Sequence, residues 1–199
     1  MILEQNHLRY MNIGAKYEKA EQEDLTKNQK NLVGKYIERL DVAIREGVGL
    51  FLTGPNGTGK SHVSAILCKI VRSKYRISSY FVTAAELKSA WISNIPAHEG
   101  SEEFMADRVN TAKFLVIDDL GKEYRTSSGF SESNFESLIR TRVRKKYITV
   151  ITTNLSADDF RNVYGVGTSE LVKESTIKID FVGENMRDKK AKEIASLFK

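Results

Sequence analysis

Between Asn28 and Glu46 the side chains Leu32, Val33, Tyr36, Ile37, Leu40, Ala43 and Ile44 recur at three- and four-residue steps, the spacing of one apolar helix face. Gly47 ends that period, and Val48-Gly49-Leu50-Phe51-Leu52-Thr53 is apolar without it, as a short buried strand is. Helical spacing returns from His62 to Val71. The alternation then continues. A strand is predicted over 77–83 and a helix over 84–92, with Thr83 as its cap. Residues 93–100 hold Pro96 and Gly100 without a period and read as a loop, followed by a short helix over 101–109. Lys113 to Ile117 is a buried strand closing on Asp118. After the polar stretch 121–131, a helix runs to Arg144 with Phe135, Leu138, Ile139 and Val143 inward. A buried strand over 147–152, a short helix over 157–164 broken at Gly165 to Gly167, a strand over 177–182 and a helix over 185–198 complete the chain. Residues 1–26 are polar and mixed, with isolated aromatics at Tyr10 and Tyr17; they read as an arm or strap before a single domain over 27–199.

Strands alternating with helices imply an α/β fold, a five-stranded parallel sheet with helices on both faces. Ligands of such sheets sit at the carboxyl ends of the strands. Gly54, Asp118 and Asn154 each lie at or just after such an end.

Gly54-Pro55-Asn56-Gly57-Thr58-Gly59-Lys60-Ser61 matches G-x-x-x-x-G-K-S, the phosphate loop of P-loop nucleoside triphosphatases, and it stands between a strand and a helix as that chemistry requires. Its glycines let successive backbone N–H groups face phosphate oxygens, and the following helix N-terminus adds partial positive charge. Lys60 is placed to reach the β- and γ-phosphates, and the Ser61 hydroxyl to bind Mg²⁺. The expected binding stretch runs on to His62, and residues 1–26 read either as a loose arm or as a strap that packs beside the nucleotide. Downstream of this loop, Asp118 reads as the second Mg²⁺ ligand and Asp119 as the group that orients or deprotonates the attacking water, with Glu123 as the alternative base. Asn154 is placed either to bond that water and the γ-phosphate or to shape the turn before the next helix.

GPNGTGKS, FLVIDDLGKE, ITTN and VGENMR resemble Walker A, Walker B, sensor 1 and sensor 2 of an AAA+ ATPase. The Asp-Asp-Leu-Gly form of the second motif and the stretch Tyr80-Phe81-Val82-Thr83-Ala84-Ala85-Glu86-Leu87 are similar to the DnaC/DnaI-type replicative helicase loaders, with the IstB-type transposition ATPases as close relatives. The resemblance runs from about Ile13 to the end of the chain. It implies an AAA+ core with a reduced C-terminal lid, ATP and Mg²⁺ as cofactors, Asn154 as sensor 1, and Arg187 as sensor 2 contacting the γ-phosphate. It further implies a replicative hexameric helicase and single-stranded DNA as partners, and a ring or spiral of copies closing on ATP. Its rivals are a transposition ATPase handling double-stranded DNA with a transposase, and a nucleotide-gated adaptor with little turnover.

Two departures bear on this. The loaders' arginine-finger triplet reads Ser169-Glu170-Leu171 here, and Glu170 has the wrong sign to stabilise transition-state charge; Arg161, Lys173, Arg140 and Arg142 are the substitutes. The loaders also carry a helicase-gripping N-terminal domain, whereas this chain begins almost directly with the ATPase module, as a trimmed or minimal, phage-like version would.

Composition adds the partner question. The 199 residues carry a net charge of +5, which suits a polyanion. The basic runs Arg140 to Lys146, Arg72 to Arg76 and Lys189 to Lys192 read either as solvated helix faces or as tracks for a strand's phosphates. One cysteine, Cys68, excludes an internal disulfide and points to a reducing cytoplasm; no apolar run spans a membrane. Cys68 and Trp91 read as core, and His7, His62 and His98 form no zinc cluster.

Overall fold

A computed structural model describes residues 10–92, 102–121, 130–183 and 185–198. The expected loop 93–100 and the candidate base Glu123 lie outside the described residues, as do the side chains of Lys189, Lys190 and Lys192.

The sheet comprises β1 (Gly49–Thr53), β2 (Ser79–Thr83), β3 (Phe114–Leu120), β4 (Ile148–Thr153) and β5 (Thr176–Asp180), ordered β2-β3-β4-β1-β5. Every pairing is parallel. The helices are α1 (Lys27–Glu38), α2 (Leu40–Glu46), α3 (Lys60–Tyr75), α4 (Ala84–Ile92), α5 (Glu102–Thr111), α6 (Phe130–Arg144), α7 (Ala157–Ser175) and α8 (Met186–Ser196). This is the AAA+ P-loop arrangement that the motifs implied. Alternation along the strands feeds two apolar layers. Leu50, Leu52, Val116 and Val150 pack with α1, α2 and α3, while Phe51, Leu115, Ile117 and Ile151 pack with α4 to α7. Cys68 is fully buried in the first layer, its thiol pushed up to about 12 by desolvation, and Trp91 lies half-buried against the second.

The helix expected over 28–46 is two helices. Thr26 and Gln29 form a capping box at the start of α1, but Arg39 leaves helical geometry (φ −106°, ψ 24°). The bend lets Val33 and Tyr36 on one side, and Leu40 and Ala43 on the other, all reach the core. The break expected at Gly165 to Gly167 is a single non-helical residue, Gly165, after which the helix resumes to Ser175 and buries Thr168 and Val172. Residues 10–26 are packed rather than loose. Met11, Ile13, Ala20 and Leu25 are buried in the first layer. The Met11 carbonyl accepts from Phe81 N–H (2.8 Å) on the outer side of β2, and Lys69 Nζ donates to the carbonyls of Tyr17, Glu18 and Ala20.

The basic run 140–146 divides. Arg142 is 1% exposed, so it is neither an arginine finger nor a DNA contact. Its guanidinium donates to Thr149 Oγ1, Val109 O, Ala112 O and Ile148 O. Among the described residues no helix is long and apolar enough to cross a membrane.

Candidate nucleotide-binding site

β1 ends at Thr53, α3 starts at Lys60, and the loop between them is braced from three sides. The buried Gln29, on α1, donates through Nε2 to Thr58 O at 3.3 Å. Thr58 Oγ1 donates to Pro55 O at 3.0 Å within the loop, and Met186 N–H, at the start of α8, donates to Gly57 O at 2.9 Å. Two glycines make this bracing feasible. Gly57 (φ 80°) and Gly59 (φ 96°) adopt backbone that L side chains rarely take, and a Cβ there would lie 1.7 Å from Asn185 Oδ1 and 2.1 Å from Gln29 Nε2.

Lys60 is 6% exposed. Its ammonium donates to Gly54 O (2.6 Å), Pro55 O (2.8 Å) and Asn154 Oδ1 (2.9 Å). The other end of the Asn154 amide donates through Nδ2 to Asn56 Oδ1 at 2.8 Å. The loop, its lysine and the asparagine after β4 thus form one network. Ser61 follows on the first turn of α3. His62 faces the Tyr17 ring at 6.3 Å between centroids, and desolvation lowers its pKa, leaving a neutral imidazole at pH 7.

The two acids are held by a residue that sequence reasoning passed over. Thr152 Oγ1 donates to Asp118 Oδ1 at 2.6 Å and accepts the Asp119 N–H at 2.9 Å. The β3–β4 register slips between Ile117 and Leu120, and Asp119 takes a left-handed conformation (φ 59°). This bulge leaves Asp118 buried while Asp119 turns into the cleft. The Thr-Thr pair before Asn154 was the available signal, since a hydroxyl on β4 is the nearest group able to serve both acids.

The cleft has a volume of about 400 Å³. Asn56, Gly57, Gly59, Lys60, Ser61 and His62 line it from the loop and α3, Asp119 from β3, and Arg187 from α8. Lys16, Tyr17, Asp24 and Gln29 close it from the strap side; of these only Tyr17, as an isolated aromatic, stood out in the sequence. Asp118 sits behind Asp119, and Asn154 reaches the cleft through Lys60. Arg187 is anchored by its own N–H to Asn185 Oδ1, the cap of α8. Glu170 is elsewhere, exposed on α7 with Lys173 at 3.9 Å.

The donors fit a magnesium triphosphate. Ser61 lines the cleft with a hard hydroxyl oxygen, and the buried Asp118 carboxylate behind Asp119 would serve directly or through water. Among the described residues no three His, Cys, Asp or Glu side chains form a metal site by themselves, and a cation held here would draw its other ligands from phosphate and water. The Asn56 contact gives a direct prediction. In Asn56→Ala the Asn154 amide loses one anchor, and kcat for ATP is expected to fall by about two- to tenfold, the worth of one net hydrogen bond, with KM changed by less than about twofold. Steady-state turnover measures both.

A family described as IstB-like ATP binding protein matches residues 5–192. No curated protein matches the sequence. Among solved structures, the DnaC helicase loader is 22% identical with a TM-score of 0.66, covering 85% of this chain and 100% of that one. DnaI is 20% identical with a TM-score of 0.68, covering 87% and 94%. A putative primosome component from Streptococcus pyogenes serotype M3 is 18% identical with a TM-score of 0.70, covering 88% and 92%. At these identities the structures show a shared fold.

Proposed function

Because the chain belongs to the IstB-like ATP-binding family of AAA+ ATPases, we propose that the cleft binds Mg²⁺–ATP and hydrolyses it to drive a protein-assisted step on DNA. The observation that carries the chemistry is the Lys60–Asn154–Asn56 network beside the Thr152-held acids. In this reading Lys60 leaves the carbonyls of its own loop for the phosphates. Ser61 and Asp118 would hold the metal, Asp119 would orient the water, Asn154 would bond the γ-phosphate and Arg187 would meet it from α8.

The family match favours a duplex-handling ATPase of the transposition type. The likeness to a helicase loader across the whole of that solved chain supports a second reading, in which the cycle places a replicative hexameric helicase on single-stranded DNA. Glu170 supplies no cation at the triplet where the loaders place one, so basal turnover is expected to be slow under either reading. Turnover measured alone, with duplex and with single strand separates them. Stimulation by duplex, with recovery of a transposase on pull-down, supports the first. Stimulation by single strand, with recovery of a hexameric helicase, supports the second. Absence of any ATP turnover under all three conditions leaves a nucleotide-gated adaptor.

A further inference from the structure

The end of the sheet opposite the cleft has a different character. Every strand enters there and α2, α3, α5, α6 and α7 all end there, so the segments before the strands are neighbours in space. The contacts between them are direct. Lys113 N–H donates to Ser78 Oγ (3.1 Å) between the entries of β3 and β2, and Ile148 N–H donates to Lys113 O (2.8 Å) between those of β4 and β3. A Cβ on Gly47, before β1, would lie 2.7 Å from Lys146 Cα, before β4.

Along this row stand Lys74, Arg76, Lys113, Arg144, Lys145 and Lys146, all exposed. Among the described residues the acids at these entries are Glu174, exposed before the outer strand β5, and Glu46, engaged by Lys146 Nζ at 3.4 Å and by Arg45 Nε at 3.0 Å, which hold its carboxyl below the usual range. Basic residues at helix ends are ordinarily explained by the negative end of the helix dipole. At Lys113 that explanation is weakened, because the carbonyls Val109 O and Ala112 O at the end of α5 are taken by the buried Arg142. Among the described residues, Arg76, Lys113 and Arg144 make no side-chain hydrogen bond or ion pair. Arg76 (φ 55°) and Lys146 (φ 53°) hold left-handed turns where glycine would be the easier residue.

We propose that this end of the sheet is a docking surface for the phosphate backbone of duplex DNA. Strand neighbours lie about 4.8 Å apart, so the row from β2 to β1 spans about 14 Å. A duplex presents about one charge per 1.7 Å of its axis to such a row. Binding a single strand calls for aromatic rings on which bases stack. The two tyrosines here, Tyr75 and Tyr147, are half-buried and carry Lys74 and Lys145 over their rings at 5.4 and 5.6 Å. An anionic membrane calls for apolar side chains to insert, and among the described residues the exposed large apolar side chains lie outside this row, on the strap, α7, the β5 edge, α8 and the segment just after it.

The surface rests on the reading that the chain handles DNA, and the two fail differently. The full chain is titrated, by fluorescence anisotropy over a series of salt concentrations, with a random-sequence duplex and with a single strand of equal length. Phosphatidylserine-containing vesicles are tested by co-sedimentation. Lys113→Gln/Lys145→Gln/Lys146→Gln is compared with Lys19→Gln/Lys27→Gln/Lys35→Gln, which removes the same charge from other exposed positions. The first variant is expected to lose at least about tenfold in duplex affinity and to flatten the log–log salt slope by about 2 to 3. The control should change less than about twofold, and DNA-free ATP turnover should be unchanged in both. Equal losses in the two variants, an undisturbed first variant, single strand bound as tightly as duplex, or vesicles bound in place of DNA each overturn the surface. No DNA binding by the unmodified protein overturns the surface and the DNA-handling reading together, while leaving the ATP site standing.

Discussion

Lys60→Ala is expected to weaken ATP binding by about ten- to 150-fold, the worth of hydrogen bonds to a charged phosphate in a recessed site, and to reduce hydrolysis further still. The ammonium is the one positive charge held inside the loop, and it sits there on Gly54 O, Pro55 O and Asn154 Oδ1. Gly54 is half-buried and Pro55 and Asn154 are exposed, so water can replace the lost donor and the fold should change by less than about 1 kcal/mol. Loss of binding is thereby separable from loss of structure. A ligand that binds only the folded state raises its stability by RT ln(1 + [L]/Kd). Saturating Mg²⁺–ATP should therefore raise the melting temperature of the unmodified chain, while the same concentration moves Lys60→Ala much less. Isothermal titration gives the affinity directly. A Lys60→Ala protein that binds ATP with full affinity would show that the triphosphate is not held by this loop.

What the chain disclosed before its structure follows from how locally each feature is determined. The strands of the sheet's interior were legible because burial on both faces leaves unbroken apolar runs such as Phe114 to Ile117. The phosphate loop was legible because its turn needs glycine at fixed positions. The division at Arg39 was not, since no proline or glycine marks it and the apolar face continues through it. The second half of α7 was hidden by Gly165 and Gly167, which lower helix propensity on either side of a helix that tertiary packing supports. Asp118 and Asp119 could be named from their motif. Their opposite orientations could not, because the bulge depends on Thr152 from another strand. The strap side of the cleft, Tyr17 and Asp24, depends on long-range packing that no spacing rule reports.

Arg142→Met is expected to cost about 3–5 kcal/mol of folding stability, the largest stability effect foreseen for a single change in this chain. Charge content alone grouped Arg142 with its solvated neighbours. The better signal was its position on the same stripe as Leu138 and Ile139, four and three residues earlier, which pointed it inward. There its guanidinium donates to Thr149 Oγ1 (2.8 Å), Ala112 O (2.9 Å), Val109 O (3.1 Å) and Ile148 O (2.6 Å), tying the end of α5 to the start of β4. Burial pulls its ionisation down to about 9, which still leaves it charged at neutral pH. Methionine keeps much of the apolar stem but leaves three buried carbonyls without that donor, and unsatisfied acceptors cost more than the bonds were worth. Lysine restores one charge without the planar fork and should recover less than half of the loss. Urea unfolding measures both variants. A midpoint for Arg142→Met equivalent to less than about 1 kcal/mol of destabilisation would show that the clamp is dispensable. Because Arg142 presents nothing to solvent, the folded Arg142→Met protein should bind duplex DNA as the unmodified chain does. That separates it from Lys113, Lys145 and Lys146 a few ångströms away on the surface, and shows that one run of basic residues serves the core at one position and the exterior at the others.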